Sequence, residues 1–161
     1  MQGNNYNDRY PRTGNPSQGG GNRNGGSRQQ RQSVADLKFA ELIFKEEWIL
    51  KGATSEMVAY AENSGKFMAD NKLTNSKIRS IYGEIKRIQM GEFENEKSSF
   101  YLLKPKVAYA LGRDENNEGL KLFKKVFDRA SEPVTDQKSY QNFCNFIEAI
   151  LAYHKAYGGK D

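Results

Sequence analysis

Apolar side chains recur at steps of three and four residues along most of this chain, which is the spacing of one face of an α-helix. The first such run covers residues 34–51 and ends at Gly52. A second run follows Thr54 and Ser55, which are candidate N-caps. Gly65 lies within the second run and weakens that helix prediction, because glycine is unfavourable in helix interiors.

The third and fourth runs hold a dense apolar stripe each. Thr74 precedes isoleucines that recur with the period of a helix and not of a strand, and Gly91 ends the run. A fourth helix is predicted over about residues 93–111. Pro105 lies inside it and lacks the N–H that a mid-helix position needs, so we expect a kink or a restart near Leu102.

Two further helices complete the pattern. A loop over residues 112–119 leads into a short helix that ends before Pro133. Thr135 is then predicted to cap a long last helix, which the pair Gly158 and Gly159 ends. No stretch alternates long enough to predict a strand. The sequence therefore predicts an all-α fold, a compact bundle of five to six helices.

Residues 1–32 have a different composition. They hold seven glycines and five arginines against one aspartate, which gives a charge of +4, and Met1, Tyr6 and Tyr10 are their hydrophobic residues. Such a segment buries too little apolar surface to offset the entropy of ordering it. We expect a disordered tail over residues 1–32 and one helical domain over residues 33–161. The tail resembles RNA-binding disordered segments, but an inert extension fits its composition equally.

Positive charge in the predicted domain is concentrated in its middle third. Residues 72–113 carry nine Lys or Arg against four Glu, whereas residues 33–71 and 114–161 have net charges of −3 and −1. A segregated basic stretch indicates a polyanion partner, with RNA or DNA as the first candidates. The alternative is an ordinary solvated surface, which this excess of basic residues makes the weaker interpretation. The candidate phosphate contacts, which would set position without reading sequence, are Lys77, Arg79, Lys86, Arg87, Lys104, Lys106 and Arg113.

The third helix groups its basic residues only in part. At 100° per residue, Arg79 and Lys86 point within about 20° of each other, beside the apolar stripe. Lys77 borders the stripe on its other side, and Arg87 points away. No row of exposed aromatic residues argues for base stacking, and we expect Tyr82, Tyr101 and Tyr109 in the core or in a subunit interface.

The residues that catalysis requires are scarce. His154 lies on the apolar flank of the last helix and is predicted to be structural, and together with Cys144 it supplies too few ligands for zinc. Glu92, Glu94 and Glu96 do not converge on one helix face, so they do not predict a magnesium site. No phosphate-binding glycine loop is present in the domain. We therefore predict no catalytic residues, no metal and no cofactor.

The chain also lacks targeting signals. No apolar run approaches 18 residues, the N-terminus has no apolar segment of the signal-peptide type, and the single cysteine fits a reducing compartment. We expect a cytoplasmic protein.

Three stretches together resemble one family. They are residues 73–88 (LTNSKIRSIYGEIKRI), 102–113 (LLKPKVAYALGR) and 143–160 (FCNFIEAILAYHKAYGGK). The chain is similar there to the small subunit of the type III-A CRISPR effector, the Csm complex, with its KPKxAYAxGR motif and a closing FxEA[I/L]xAYxKxY helix. Leu111, where alanine is common, is a mild departure. Residues 34–70 match less distinctly, and the tail lies outside the family pattern.

The resemblance implies a small helical protein without catalytic activity of its own. Several copies would stack beside the larger backbone subunits and line the channel that holds guide RNA and target RNA, while nucleases and the large signalling subunit supply the chemistry. The seven candidate cations carry over by motif position as phosphate contacts, and base pairing reads the sequence.

Two other function classes compete with this interpretation. A free-standing helical chaperone could use the tail and the basic stretch on any single-stranded nucleic acid. A helical enzyme is the third class, and the scarcity of histidine and of metal ligands argues against it.

We predict that the domain folds without residues 1–32, because that segment has almost no hydrophobic side chains. Its deletion should leave the far-UV helical signal unchanged and shift the melting temperature by less than about 5 °C. A larger decrease would mean that the tail packs on the domain.

Overall fold

The structure is a computed structural model that describes residues 31–160, in which all regular secondary structure is helical. The all-α prediction is thus confirmed, and the predicted tail lies outside the described residues except for Arg31 and Gln32. The eight helices of the described part are α1 (Val34–Glu41), α2 (Glu47–Leu50), α3 (Ser55–Asp70), α4 (Asn75–Gln89), α5 (Phe93–Tyr101), α6 (Leu103–Gly112), α7 (Glu118–Ser131) and α8 (Gln137–Ala156).

Eight segments replace the five to six predicted because two predicted helices are divided. The first is interrupted after Glu41, where Leu42 takes an extended conformation and the chain turns before α2. The fourth ends at Tyr101 and restarts after Leu102, as expected from the proline. Pro105 then lies in the first turn of α6, where the backbone N–H groups have no partner within the helix and proline is tolerated.

Some helix caps lie at the residues that the sequence predicts, and others do not. Thr54 caps α3, since its side chain accepts a hydrogen bond from the N–H of Met57 at 3.2 Å. The cap predicted at Thr135 is wrong, because Asp136 occupies that position and accepts from the N–H of Ser139 at 2.8 Å. A carboxylate is a favourable cap because the N-terminal end of a helix is positive, and α8 therefore begins one residue later than predicted.

Two glycines allow helices to meet backbone to backbone. A β-carbon at Gly65 would lie 2.6 Å from the carbonyl oxygen of Ile150, so α3 and α8 could not cross this closely with a larger residue there. A β-carbon at Gly119 would lie 2.7 Å from the carbonyl oxygen of Met68, where α7 begins against the end of α3. Gly65, which weakens the helix prediction from sequence, is therefore a packing contact.

The basic helix α4 is fixed by buried contacts on one face. Its four isoleucines at positions 78, 81, 85 and 88 are each at most 3 % exposed. The hydroxyl of Tyr140 in α8 donates a hydrogen bond to the carbonyl oxygen of Ile85 at 2.8 Å, and the ring of Phe93 stacks on Tyr140 at 5.1 Å. The opposite face of α4 therefore points outward. No helix within residues 31–160 is long and apolar enough to cross a membrane.

We predict opposite effects for two glycine-to-alanine substitutions within helices. Gly65→Ala should lower the free energy of unfolding by about 1–3 kcal/mol, because the added methyl group collides with the backbone of α8. Gly83→Ala should raise it by about 0.8–1 kcal/mol, because alanine favours helix formation and the methyl group would meet no described atom within 4 Å. Urea unfolding at 25 °C measures both changes. Equal effects of the two substitutions would contradict the close crossing at Gly65.

Candidate nucleic-acid interface

Six of the seven candidate phosphate contacts lie on helices α4 and α6, and the seventh, Arg113, directly follows α6. Helix α6 buries Leu103 and Val107 and packs against α4, α5 and α7. With those two positions buried, Lys104, Lys106 and Arg113 remain exposed. Helix α4 buries its isoleucine stripe, so its basic residues border that stripe or lie opposite it. The packing of two apolar faces thus orients the cations.

A groove of about 1080 Å³ separates the outer faces of α4 and α6. Three of the candidate cations line it: Lys77 on the α4 side, and Lys106 and Arg113 on the α6 side. Glu84 and Asp114 also line it, so the groove carries both signs of charge with an excess of one cation. The loop after α6 brings Arg113 and Asp114 to one end of this groove.

A smaller groove of about 460 Å³ lies between α4 and α8. Arg79, Tyr82 and Glu148 line it, and the ammonium group of Lys86 lies 2.9 Å from the carboxylate of Glu148. This hydrogen bond raises the pKa of Lys86. Arg79 and Lys86 therefore share one side of α4, as their spacing predicts. Lys77 lies toward α6 instead, so the seven cations are distributed over more than one surface.

Four of the seven candidates already have carboxylate partners. Each of the four has a partner outside its own helix, and for Lys77 and Lys86 the partner lies far along the sequence, so the sequence pattern did not reveal the pairing. The pairs are Lys77 with Asp114 at 2.5 Å, Lys86 with Glu148 at 2.9 Å, Arg87 with Glu96 at 3.1 Å and with Glu84 at 3.3 Å, and Lys106 with Glu84 at 3.6 Å.

The other three candidates, Arg79, Lys104 and Arg113, are exposed and form no ion pair with any carboxylate of residues 31–160. The guanidinium of Arg113 lies 5.9 Å from the ring centre of Tyr109, within the range of a cation–π contact. These three residues are the cations most ready to accept an external anion, because no local partner has to be displaced.

The four paired cations are held only weakly. Each pair is partly exposed to solvent, and exposed ion pairs contribute about 0–1 kcal/mol. A phosphate oxygen has the same charge as the carboxylate that it would replace and accepts the same hydrogen bonds. The pairs can thus be exchanged, but each exchange releases a carboxylate close to the incoming anion.

Lys72 belongs to the same surface, although the sequence pattern did not single it out as a contact. It follows α3 with a positive φ of 69°, and its carbonyl oxygen accepts a hydrogen bond from the side-chain amide of Asn117 at 2.8 Å. Its charge lies close enough to Asp114 to help lower the pKa of that carboxyl, after the larger effect of the hydrogen bond from Lys77. The signal in the sequence was its place at the start of the basic stretch.

The core half of the prediction for the tyrosines is wrong for two of them, whereas a subunit interface stays a prediction. Tyr101 and Tyr109 are 63 % and 69 % exposed, so neither belongs to the core of this chain. Tyr101 ends α5 and Tyr109 lies in the last turn of α6, and both side chains are on outward faces of their helices. Tyr82 is half-buried beside Lys86, with its ring centre 5.7 Å from the ammonium.

The residues with catalytic potential occupy structural positions. His154 is fully buried, and its Nε2 donates a hydrogen bond to the carbonyl oxygen of Leu73 at 2.7 Å. Burial raises the pKa of the Cys144 thiol to about 11, which keeps it protonated at neutral pH. Glu94 and Glu96 pair with different cations, Lys97 and Arg87. Within the described part of the chain, no three His, Cys, Asp or Glu residues converge as a metal site.

Comparisons with known proteins agree on one family. The sequence model of the family described as Csm2 Type III-A matches residues 51–160. A protein of Streptococcus thermophilus described as "CRISPR system Cms protein Csm2" is 28 % identical over 127 residues, and the match covers 74 % of this chain and 98 % of that protein. No solved structure matches the chain.

We predict that removing a carboxylate from the α4–α8 groove strengthens polyanion binding. Glu148→Gln frees Lys86 from its partner and removes a negative charge beside Arg79, so affinity for heparin should rise, by up to about fivefold. Glu56→Gln is the matched control, since it makes the same change in net charge but its partner is Lys45, before α3. Titration at low salt measures both affinities. An equal rise in both variants would assign the effect to net charge alone.

Proposed function

Because this chain belongs to the Csm2 family of type III-A CRISPR systems, it is a subunit of the type III-A effector, and we propose that it acts there as a non-catalytic RNA-binding scaffold. Its partners in this proposal are guide RNA and target RNA, other copies of itself, the backbone subunits and the large signalling subunit of the Csm complex. The proposed location is the cytoplasm. The proposed working unit is the helical domain of residues 33–161, with residues 1–32 as an appended tail.

One observation carries the RNA-binding part of the proposal. Arg79, Lys104 and Arg113 are exposed cations without a carboxylate partner among residues 31–160, and they lie on or directly after the two helices that border the larger groove. Exposed cations that a fold leaves unpaired are available to neutralise phosphates and to release the counterions bound to RNA. Lys77, Lys86, Arg87 and Lys106 lie on the same two helices and would join by exchanging their carboxylates for phosphates.

These contacts suit a strand whose sequence is read by another molecule. Lysine and arginine contacts with phosphates fix the position and direction of a nucleic acid but carry little sequence information. In an RNA-guided complex, base pairing between guide and target reads the sequence, and the protein holds the backbone. A subunit with a few phosphate contacts, present in several copies along the channel, supplies such a surface.

The non-catalytic role rests on where the reactive side chains lie. His154 is buried against a backbone carbonyl, and Cys144 is buried with a raised pKa. Neither can reach a nucleic acid on the outer faces of α4 and α6 without unfolding α8. Cleavage and signalling are accordingly assigned to other subunits of the complex.

The competing function is a free-standing chaperone for single-stranded nucleic acid. It differs from the scaffold role in what accompanies the protein in the cell. A scaffold subunit co-purifies with larger Csm subunits and with short RNAs of defined guide sequence, whereas a chaperone co-purifies with mixed RNA and no fixed partner. Affinity purification followed by sequencing of the bound RNA separates the two functions.

We predict that charge reversal on α4 weakens RNA binding independently of sequence. The double variant Arg79→Glu, Lys86→Glu should reduce the affinity of the assembled complex for target RNA to a similar extent for unrelated guides. Each lost phosphate contact should also lower the slope of log K against log salt by about 0.7–0.9. Filter binding at several salt concentrations measures both quantities, and far-UV circular dichroism checks that the fold is retained.

The matched control is Lys45→Glu, Lys51→Glu, which changes the net charge equally but lies before α3, outside the two grooves. It should leave the salt slope unchanged. An effect of the α4 variant that depends on the guide sequence, or an unchanged salt slope, would show that this face does not contact phosphates.

A further inference from the structure

The larger groove has an aromatic wall that phosphate binding does not require. Tyr109 lines it from α6 and is 69 % exposed, and Leu102, which is 58 % exposed, and Pro105 line it on the same side. Large apolar surfaces that stay in solvent usually mark a contact site. Tyr101 is exposed to a similar degree, 63 %, but does not line the groove, so exposure and position can be separated experimentally.

The α4 side of the groove forms a wall in which three small residues accompany Lys77 and Glu84. Ser76, Ser80 and Gly83 line the groove from α4 at steps of four and three residues, which places them on one face of that helix. A methyl group added to Gly83 would meet no described atom within 4 Å, so the space beside this wall is open. The groove therefore leaves room for a flat group between a small-residue wall and an aromatic face.

Charges around the aromatic face favour an anionic occupant. The guanidinium of Arg113 lies 5.9 Å from the ring centre of Tyr109, and no carboxylate of the described residues pairs with it. The two carboxylates of the groove are already engaged, Glu84 with Lys106 and Asp114 with Lys77. A docked protein helix would cover the apolar side chains of Leu102, Pro105 and Tyr109, but it would offer no anion to Arg113 unless it carried an acidic residue there.

We propose that the α4–α6 groove holds one unpaired nucleobase of an RNA strand, stacked on the ring of Tyr109, while Arg113 neutralises the adjoining phosphate. A nucleotide meets both requirements at once, because every base has a π-face and carries its own phosphate. The inference rests on the proposed RNA-binding function and adds to it a contact with a base. Stacking of this kind tolerates any base, so it agrees with a protein that does not read sequence.

The test uses the full chain and two single-stranded probes of about 12 nucleotides, oligouridylate and an abasic ribose-phosphate oligomer of equal length and charge. Tyr109→Leu keeps an apolar side chain but removes the aromatic face. It should weaken binding of oligouridylate by about 5- to 150-fold, the range for loss of one base–aromatic stack, and leave binding of the abasic oligomer unchanged. Tyr101→Leu, outside the groove, should change neither. Both tyrosines are mostly exposed, so the helical signal should persist in each variant.

A spectroscopic reporter gives an independent measure. The natural tryptophan, Trp48, is 2 % exposed and packs against Tyr60 and Phe146, away from the groove. A tryptophan introduced by Tyr109→Trp should therefore report on the groove, with fluorescence that oligouridylate quenches and the abasic oligomer does not. Quenching by both probes to the same extent would argue against stacking.

The outcomes separate this inference from the function on which it rests. If wild-type protein binds the two probes equally and Tyr109→Leu changes nothing, the stacking site is refuted while phosphate binding stands. If wild-type protein binds neither probe at low salt, the proposed RNA-binding function fails as well. If Tyr109→Leu binds oligouridylate normally but no longer joins the assembled complex, the groove is a protein contact and the inference is wrong.

Discussion

Gly65 sets how closely α3 and α8 cross, and this crossing is the most extensive helix–helix contact of residues 31–160. Its missing side chain brings the backbone of α3 against Ile150 and His154 of α8. The buried ring of His154 then holds the carbonyl of Leu73, just before α4, and the hydroxyl of Tyr140 holds the carbonyl of Ile85 within α4. Polar side chains buried this deeply stabilise a fold only when they are hydrogen-bonded, so both contacts require α4 to keep its register on α8.

This chain of contacts explains why the candidate site is a property of the whole fold. The side of α4 that faces α8 is determined by Tyr140 and the isoleucine stripe, and the remaining sides present cations to two grooves. Helix α6, which restarts after Leu102, supplies the other side of the larger groove, with Tyr109 among the residues that line it. A shift of α4 along α8 would alter both grooves together.

Sequence periodicity predicted the longer helices well because α3, α4, α7 and α8 each bury an apolar stripe, and Pro105 correctly indicated the restart near Leu102. Two of the failures arise from contacts between distant residues, whereas the break after Glu41 and the shift of the α8 cap to Asp136 are local. Gly65 weakened a helix prediction because the backbone that it packs against belongs to α8. Lys77 and Lys86 pair with Asp114 and Glu148, which lie outside α4. Charge counting along the sequence therefore located the basic surface, but it did not distinguish the paired cations from Arg79, Lys104 and Arg113.

That distinction bears on how such a domain would hold RNA. Of the seven candidate cations, three have no carboxylate partner among residues 31–160 and four form exchangeable pairs. The field of this surface is therefore modest, because each exchange leaves a carboxylate near the strand, and Glu84 pairs with both Arg87 and Lys106. One copy would bind a random strand weakly. Copies aligned along a single RNA would gain affinity from effective concentration, without any stronger contact in each copy. Under the proposed function, this partial self-neutralisation would keep single subunits weakly bound to random RNA and would confine tight binding to the assembled complex.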